Sequence, residues 1–250
     1  MFLWQQNMEN IKWNIGCSGF LYKDWKGEFY PEGLAQSKWF NYYASQFNTL
    51  ELNVTFYRFP QLKTLENWYA KSPETFKFSI KVPRLITHYK QLHETEQLLA
   101  DFYAVVKAGL KEKLGPVIFQ FPPKFIFTEE RLNTIIKSLD PSYLNVVEFR
   151  DKSWWQKDII DELSKHHITF CGSSFPNLPD DAIINTPIVY YRFHGVPKLY
   201  FSAYETAFLQ QIANTISTNK QVKETFIYFN NTATMAAIEN AKELGNLLDN

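Results

Sequence analysis

The amino-acid sequence predicts an α/β fold, a single TIM-type (β/α)8 barrel over residues 1–250. The chain has 250 residues, the usual size of one such barrel. Short runs rich in β-branched and aromatic residues alternate with helical patterns, which is typical of parallel strands joined by right-handed crossovers. Eight runs of the strand type occur, and eight strand–helix units close most readily into a barrel. An open doubly wound sheet is the alternative.

The predicted strands recur along the whole chain. They lie near residues 12–18, 48–54, 75–82, 116–121, 144–149, 168–173, 187–193 and 225–230. Apolar residues at helical spacing lie between most of these runs. The helices that they predict cover residues 37–47, 92–110, 128–139 and 159–167.

Three features predict the connections in the last third of the chain. Ser202-x-x-Glu205 matches a capping box, which opens a helix. Thr232 is expected to cap a last helix that Gly245 ends. Residues 174–187 contain prolines and too little periodic sequence for a full helix. We therefore expect one reduced crossover helix between the sixth and seventh predicted strands.

Composition and charge exclude several classes of protein. Lysine plus arginine equals aspartate plus glutamate, 26 each, so no basic excess attracts nucleic acid non-specifically, although a local basic cleft stays an alternative. Met1–Trp4 lacks the basic start and apolar length of a signal peptide, and no run approaches about 20 apolar residues. Cys17 and Cys171 have no nearby cysteine, which argues against a zinc or disulfide scaffold. The sequence predicts a cytoplasmic protein with no membrane partner.

Polar and charged side chains stand where several predicted strands end. Because side chains alternate along a strand, Leu50 and Leu52 face the helices while Glu51 and Asn53 face the barrel interior. The same alternation directs inward Lys81, Gln120, Glu148, Arg150, Arg192 and His194. Enzymes with this fold build their active sites at the carboxyl ends of the strands, so these residues are candidates for a functional site.

The charged candidates have a catalytic and a structural interpretation. Glu51 and Glu148 could act as acid and base, as paired carboxylates do in glycosidases. Equally, each could neutralise a cation across the barrel, because buried charges are costly unless paired. Arg150 and Arg192, together with Lys81, could clamp an anion, since guanidinium groups suit phosphate or carboxylate oxygens. The alternative pairs these cations with the two glutamates.

Histidine and aromatic residues supply further candidates. His194 follows the seventh predicted strand, where an imidazole could move protons, although a lone histidine is more often structural. His88 follows the third predicted strand and is a second candidate proton carrier. Tyr22 and Tyr57 could stack on a sugar or base, or simply roof the barrel. No Gly-rich phosphate cradle and no His-Glu-x-x-His motif occurs, so we predict neither a cofactor nor a metal.

Motifs along nearly the whole chain resemble one known family. They are Gly16–Gly19, Tyr22, Trp25, Gly27, Phe29–Pro31, Glu51, Asn53, Thr55–Arg58, Phe78, Lys81, Thr87, His88, Leu114–Pro116, Gln120, Pro122, Pro123, Glu148–Arg150, Ser153, Trp154, Arg192–Gly195 and Phe229–Asn231. In this order they resemble the YecE-like family, a domain of unknown function. The resemblance implies a TIM-type barrel with these polar residues at one mouth, and it implies no particular activity. Phe20 and Cys17 depart from the tryptophan and threonine that are usual in the family.

The predicted site therefore contains two groups of residues. The candidate catalytic residues are Glu51, Glu148, His194 and His88. The candidate substrate-binding residues are Ser18, Tyr22, Asn53, Tyr57, Lys81, Gln120, Arg150, Arg192, Asn230 and Asn231.

Several functions are compatible with this set. The first hypothesis is a hydrolase, isomerase or lyase that acts by acid–base chemistry on a small anionic or polyhydroxylated substrate, such as a sugar phosphate. A nucleic-acid or nucleotide binder that stacks bases on Tyr22, Tyr57 and Arg58 is the alternative. A metal-dependent hydrolase and a non-catalytic barrel that binds a metabolite or a partner protein are further alternatives. The sequence predicts no oligomeric state.

Overall fold

The structure, a computed structural model, describes residues 11–249, so Met1–Trp4 lies outside the described residues. It contains nine parallel strands: β1 (Lys12–Cys17), β2 (Thr49–Leu52), β3 (Lys77–Lys81), β4 (Leu114–Gln120), β5 (Asn145–Glu148), β6 (Thr169–Phe170), β7 (Gly172–Ser174), β8 (Ile188–Phe193) and β9 (Glu224–Phe229). Their order in the sheet is β6-β5-β4-β3-β2-β1-β9-β8-β7. This is the α/β TIM-type fold that the sequence predicts.

The helices alternate with these strands. They are α1 (Trp39–Gln46), α2 (Val54–Tyr57), α3 (Leu62–Lys71), α4 (Glu96–Leu110), α5 (Glu129–Ser138), α6 (Lys157–Lys165), α7 (Thr206–Ser217) and α8 (Ala236–Asp249). No helix lies between β7 and β8 in this described stretch, which confirms the predicted reduced crossover. None of the helices between residues 11 and 249 combines the length and apolar character that crossing a bilayer requires.

The chain divides into two compact units. Unit 1 runs up to Leu50 and resumes at Cys171, and unit 2 is Glu51–Phe170. The single domain over residues 1–250 stays a prediction.

In unit 1 a close approach of backbone joins β1, β2 and α1. A Cβ atom at Gly16 would lie 2.2 Å from the carbonyl oxygen of Thr49, so only glycine fits there. The Tyr43 hydroxyl, on α1, accepts the backbone N–H of Cys17 at 2.7 Å and donates to the Thr49 carbonyl at 3.0 Å. One buried tyrosine therefore fixes the helix to both strands.

In unit 2 an aromatic stack follows the ends of β4 and β5. The Phe121 ring lies 4.4 Å from that of Phe125, and the Phe149 ring lies 4.0 Å from that of Trp154 and nearly parallel to it. The Trp154 indole N–H donates to the Phe125 carbonyl at 2.7 Å. All four rings are buried, so the backbone at the carboxyl ends of these two strands is held rigidly.

The predictions for the two late helices are wrong about the start of α7 and about both ends of α8. Helix α7 begins after Glu205, whose side chain makes no cap hydrogen bond, and Ser202 instead accepts the backbone N–H of Lys198. Helix α8 begins beyond Thr232 and continues through Gly245. Burial of the apolar face of α8 outweighs the helix-breaking tendency of one glycine, which is only about 1 kcal/mol relative to alanine.

Three further elements differ from the sequence prediction. Val54, the last residue of the second predicted strand, instead begins helix α2, which was not predicted. Helix α3 was not predicted, because it carries a single buried residue, Leu65, and so lacks a long apolar face. The sixth predicted strand is divided at Cys171: β6 pairs with β5, whereas β7 pairs with β8.

Candidate functional site

Three neighbouring strands of unit 2 each end on a polar residue. Lys81 ends β3, Gln120 ends β4 and Glu148 ends β5. Gln120 lies opposite Glu148 in the register of β4 and β5, and β3 pairs with β4 in the same direction. Parallel pairing therefore brings the three side chains to one edge of the sheet.

The Lys81 ammonium group has an oxygen and an aromatic ring as neighbours. It is 8% exposed, and its Nζ donates to Gln120 Oε1 at 2.8 Å. The same nitrogen lies 4.2 Å from the centre of the Phe56 ring, which is on α2. Thr55, also on α2, donates to the carbonyls of Leu52 at 2.9 Å and Lys81 at 2.6 Å, and so ties this helix to β2 and β3. A cation–π contact and a hydrogen bond thus hold the charge in place.

His88 lies on the single π-helical turn Leu85–Tyr89, after β3. Its Nδ1 is 2.9 Å from Thr87 Oγ1, its Nε2 is 3.5 Å from Gln120 Nε2, and its ring meets the Phe56 ring edge-on. A π turn inside a chain frequently marks a functional site.

The network assigns the proton on the imidazole. An ammonium group only donates, so it fixes Gln120 Oε1 toward Lys81 and leaves Gln120 Nε2 as a donor toward His88 Nε2. The ring proton then lies on Nδ1 and is donated to Thr87. Burial, followed by the charges of Lys81, Arg150 and Arg84, lowers the pKa of His88 to about 4. The imidazole is therefore neutral at neutral pH.

Glu148 and Arg150 form a buried ion pair in unit 2. Arg150 Nη2 lies 2.9 Å from Glu148 Oε1, and the two side chains are 6% and 0% exposed. The structural interpretation of these two residues is therefore supported for this pair. A pair in which both charges are held can still present a cation to a ligand, because a guanidinium has five N–H donors.

An arginine that the sequence analysis missed lies between two exposed tyrosines. The Arg84 guanidinium carbon is 5.5 Å from the centre of the Tyr57 ring and 5.5 Å from that of Tyr89. These tyrosines are 65% and 66% exposed, and Tyr57 also contacts Phe56 edge-on. The signal in the sequence was an arginine that follows β3 in the same loop as His88.

Two candidates of unit 2 lie at the end of β2. Glu51 is completely buried in the strand. Asn53 is the residue before α2, but its side chain does not cap that helix. Within residues 11–249, Asn53 Oδ1 is buried and has no hydrogen-bond partner. A buried amide oxygen without a partner has a desolvation cost, so a ligand donor is one explanation for it.

In unit 1, two candidates lie at the end of β8. Arg192 is 1% exposed and His194 is 0% exposed. Asn230, after β9, places its Nδ2 2.9 Å from His194 Nδ1, and Phe175 packs edge-on against the imidazole. The backbone N–H of Asn230 also donates to the Phe193 carbonyl at 2.7 Å. The imidazole orientation is therefore set by the loop after β9.

Of the other candidates of unit 1, Tyr22 and Asn231 have protein partners, whereas the Ser18 side chain differs. Tyr22 donates to the Ser18 carbonyl at 2.6 Å, and its ring packs 4.7 Å from that of Trp25. Asn231 is fully buried and donates to the Ser202 carbonyl at 3.0 Å and to Asn240 Oδ1 at 3.2 Å. Ser18 is buried, and its hydroxyl has no hydrogen-bond partner in the described part of the chain. The contacts of Tyr22 and Asn231 are those of residues that hold loops together.

Across residues 11–249, no group of three or more histidine, cysteine, aspartate or glutamate side chains is arranged to hold a metal ion. The site of unit 2 therefore offers a cation, a neutral imidazole and an amide, which together suit proton transfer beside an anion.

Comparisons with known proteins agree on one family. A family described as "Protein of unknown function DUF72" matches residues 14–250. The UPF0759 protein YunF of Bacillus subtilis is 25% identical over 270 residues, which covers 94% of this chain and 94% of that protein. The UPF0759 protein YecE of Escherichia coli is 29% identical over 83 residues, which covers 33% of this chain and 30% of YecE.

Solved structures show the same fold. A DUF72 family protein from Thermotoga maritima superposes with a TM-score of 0.86 at 28% identity, over 96% of this chain and 100% of that chain. A DUF72 family protein from Enterococcus faecalis gives a TM-score of 0.80 at 20% identity, over 96% of each chain.

Proposed function

The chain belongs to the DUF72 family of proteins of unknown function, and we propose that it is an acid–base enzyme for a small anionic or polyhydroxylated substrate, such as a sugar phosphate. The substrate binds at the carboxyl ends of β3, β4 and β5 in unit 2.

The observation that carries this proposal is a neutral imidazole among cations. Lys81, Arg150 and Arg84 all lower the pKa of His88, after the larger effect of burial. Cations that act together on one site attract an anion, and the bound anion would offset their effect on the imidazole. Binding of substrate would then raise the pKa of His88 toward the range in which it can accept a proton.

The residues of unit 2 take complementary roles. Lys81 and Arg150 hold the anionic group through charge-assisted hydrogen bonds. His88 takes a proton at Nε2 once the long 3.5 Å contact from Gln120 Nε2 opens, and Gln120 stays bound to Lys81 through Oε1. Glu51, the completely buried carboxylate in β2, moves a second proton.

Unit 1 supports a separate proposal about its own candidates. Arg192 binds an anion and His194 polarises or protonates a ligand group, with Asn230 as the residue that positions the imidazole. Their position at the carboxyl end of β8 supports this assignment, because enzymes with this fold build their active sites there.

A ligand screen by thermal unfolding tests the proposal. Wild type, Lys81→Met and, as a matched control, the exposed Lys137→Met on α5 are unfolded with sugar phosphates and with the corresponding neutral sugars. A ligand at about 100 times its dissociation constant adds about 2.7 kcal/mol to the free energy of unfolding. This raises the midpoint temperature of thermal unfolding by roughly 5–10 °C. We expect a shift with a phosphorylated sugar that Lys81→Met loses and Lys137→Met keeps. Equal shifts in all three proteins would contradict the proposal. A ligand that binds without turnover would favour a non-catalytic metabolite-binding barrel.

Nucleotide binding is the second candidate function. The exposed Tyr57 and Tyr89 rings on either side of Arg84 favour it, because tyrosine and arginine surfaces stack on bases. Nucleoside monophosphates in the same screen separate the two functions. If nucleotide binding is the function, Tyr57→Leu and Tyr89→Leu would weaken binding of the nucleotide and leave binding of the sugar phosphate unchanged.

A further inference from the structure

A pocket of unit 2 has no role in the site proposed above. It has a volume of about 370 Å³ and lies among the loops that follow β3 and β4 and the first turns of α5. Its lining residues are Gln91, His93, Lys124, Ile126, Thr128, Glu130, Arg131 and Thr134. A cavity of this size accepts a small molecule. None of these residues belongs to the Lys81 and His88 network.

The guanidinium of Arg131 is fixed in this pocket before any ligand binds. Its Nη1 donates to the Ile126 carbonyl at 2.7 Å, and its Nη2 donates to Gln91 Oε1 at 3.4 Å. Its central carbon lies 4.5 Å from the centre of the Phe125 ring. That ring belongs to the aromatic stack with Phe121 and Trp154, so its position is itself rigid. A preorganised arginine loses little conformational entropy when it binds an oxyanion.

Thr128 and Gln91 add hydrogen-bond donors to the pocket, whereas the Thr134 hydroxyl already donates to the Glu130 carbonyl at 2.8 Å. Thr128 Oγ1 already accepts the backbone N–H of Arg131 at 3.2 Å, so its hydroxyl proton can be donated. Gln91 Oε1 accepts a hydrogen bond from Arg131 Nη2. Within residues 11–249 the Gln91 side-chain N–H groups make no hydrogen bond, so they can donate to a ligand. Two cations, Lys124 and Arg131, and one carboxylate, Glu130, line the pocket. Their charges give the lining an excess of one positive charge. Over the same described stretch, neither cation has a carboxylate within 4.0 Å.

The loop that carries Gln91 is conformationally unusual. Gln91, Leu92 and Glu94 have φ values of 48°, 67° and 50°, in the left-handed region that non-glycine residues rarely adopt. Leu92 is 3% exposed, and its backbone N–H donates to the Ile86 carbonyl at 3.0 Å, which anchors the segment. Such residues persist where the surroundings fix them and are concentrated at ligand sites.

We propose that this pocket is a second binding site, for a small molecule that carries an oxyanion on the Arg131 guanidinium. Phosphate and carboxylate share the required chemistry: an oxygen pair that accepts from the arginine and from the Thr128 and Gln91 donors. The inference stands apart from the proposed enzyme activity, because the two sites have no residue in common.

Histidine NMR tests this site and the Lys81 site separately in one titration. His93 lines the pocket, His88 belongs to the other site, and the exposed His166 reports general ionic effects. The probes are inorganic phosphate and acetate, each added to the full-length protein at constant ionic strength. We expect the His93 resonances to move saturably with at least one probe, while those of His166 do not. Saturation by phosphate alone identifies a phosphate site, and saturation by acetate alone identifies a carboxylate site.

Variants of α5 assign the binding to Arg131. Arg131→Gln is expected to raise the dissociation constant read at His93 at least tenfold. Arg131→Lys, which keeps the positive charge, is expected to recover part of the lost affinity. Lys137→Gln, an exposed position on the same helix, is expected to leave it unchanged. Unchanged His88 spectra in Arg131→Gln would show that the variant is folded. A His93 response that is absent, does not saturate, or survives Arg131→Gln would overturn the proposal, whatever His88 shows.

Discussion

Removing one member of the buried Glu148–Arg150 pair is expected to destabilise the fold strongly. The side chains are 0% and 6% exposed and 2.9 Å apart, so Arg150→Met leaves a carboxylate in the protein interior without the cation that lies 2.9 Å from it. Breaking a buried pair in this way costs about 3–5 kcal/mol. For a chain of this length, each kcal/mol of lost stability lowers the midpoint temperature of thermal unfolding by about 2–4 °C. The midpoint is therefore expected to fall by roughly 6–20 °C.

A double-mutant cycle measures the pair itself. The free energies of unfolding of wild type, Arg150→Met, Glu148→Gln and the double variant are obtained from urea denaturation. The double variant leaves no uncompensated charge from this pair. Its decrease in the free energy of unfolding is therefore expected to be smaller, by about 1–3 kcal/mol, than the sum of the decreases in the two single variants. Additive losses, or single losses below about 1 kcal/mol, would refute the reasoning. Loss of anion binding in a stable Arg150→Met would instead favour a functional role for the arginine.

Four further predictions rest on contacts in the structure. Lys81→Met is expected to raise the pKa of His88 from about 4 part of the way toward 6.5, as read by NMR titration; an unchanged value would show that the Lys81 charge does not contribute to lowering it. Since the unfolded state binds this proton more tightly, the free energy of unfolding should fall as the pH drops from about 6.5 to about 4, and replacing His88 with glutamine should reduce that slope. Gly16→Ala is expected to cost more than about 1 kcal/mol, because its Cβ would lie 2.2 Å from the Thr49 carbonyl; wild-type stability would contradict the close approach. Lys113→Met should cost about 1–3 kcal/mol in urea denaturation, because the Lys113 ammonium donates to three oxygens at the end of α3; a neutral effect would mean that water replaces it.

The positions of the strands along the chain could be predicted because each strand is marked by a local sequence pattern. Runs of β-branched and aromatic residues mark where each strand lies, and alternation along a strand predicts the side toward which a residue points. For that reason Lys81, Gln120 and Glu148 were identified as residues at strand ends before their partners were known. Local composition also indicated the missing helix before β8.

Helix ends and short helices depended on tertiary packing. Gly245 lies inside α8 because buried neighbours such as Leu244 stabilise the helix beyond it. Helix α3 is held by a close approach that no local pattern shows: a Cβ at Gly109 of α4 would lie 2.4 Å from Leu65 Cβ. Packing energy of this kind exceeds the small differences in intrinsic helix propensity.

The sequence by itself determined the fold class, the family and the polar residues at the ends of the strands. The tertiary structure decided which of these residues meet: Glu148 pairs with Arg150, Lys81 contacts Gln120 and Phe56, and His88 lies among cations. It alone also brought Arg131 to Gln91 across two loops. The physical reason is that alternation along a strand gives a direction but no distance. Distances between side chains on different strands and loops are set by backbone register and packing, and the pKa values depend on those distances.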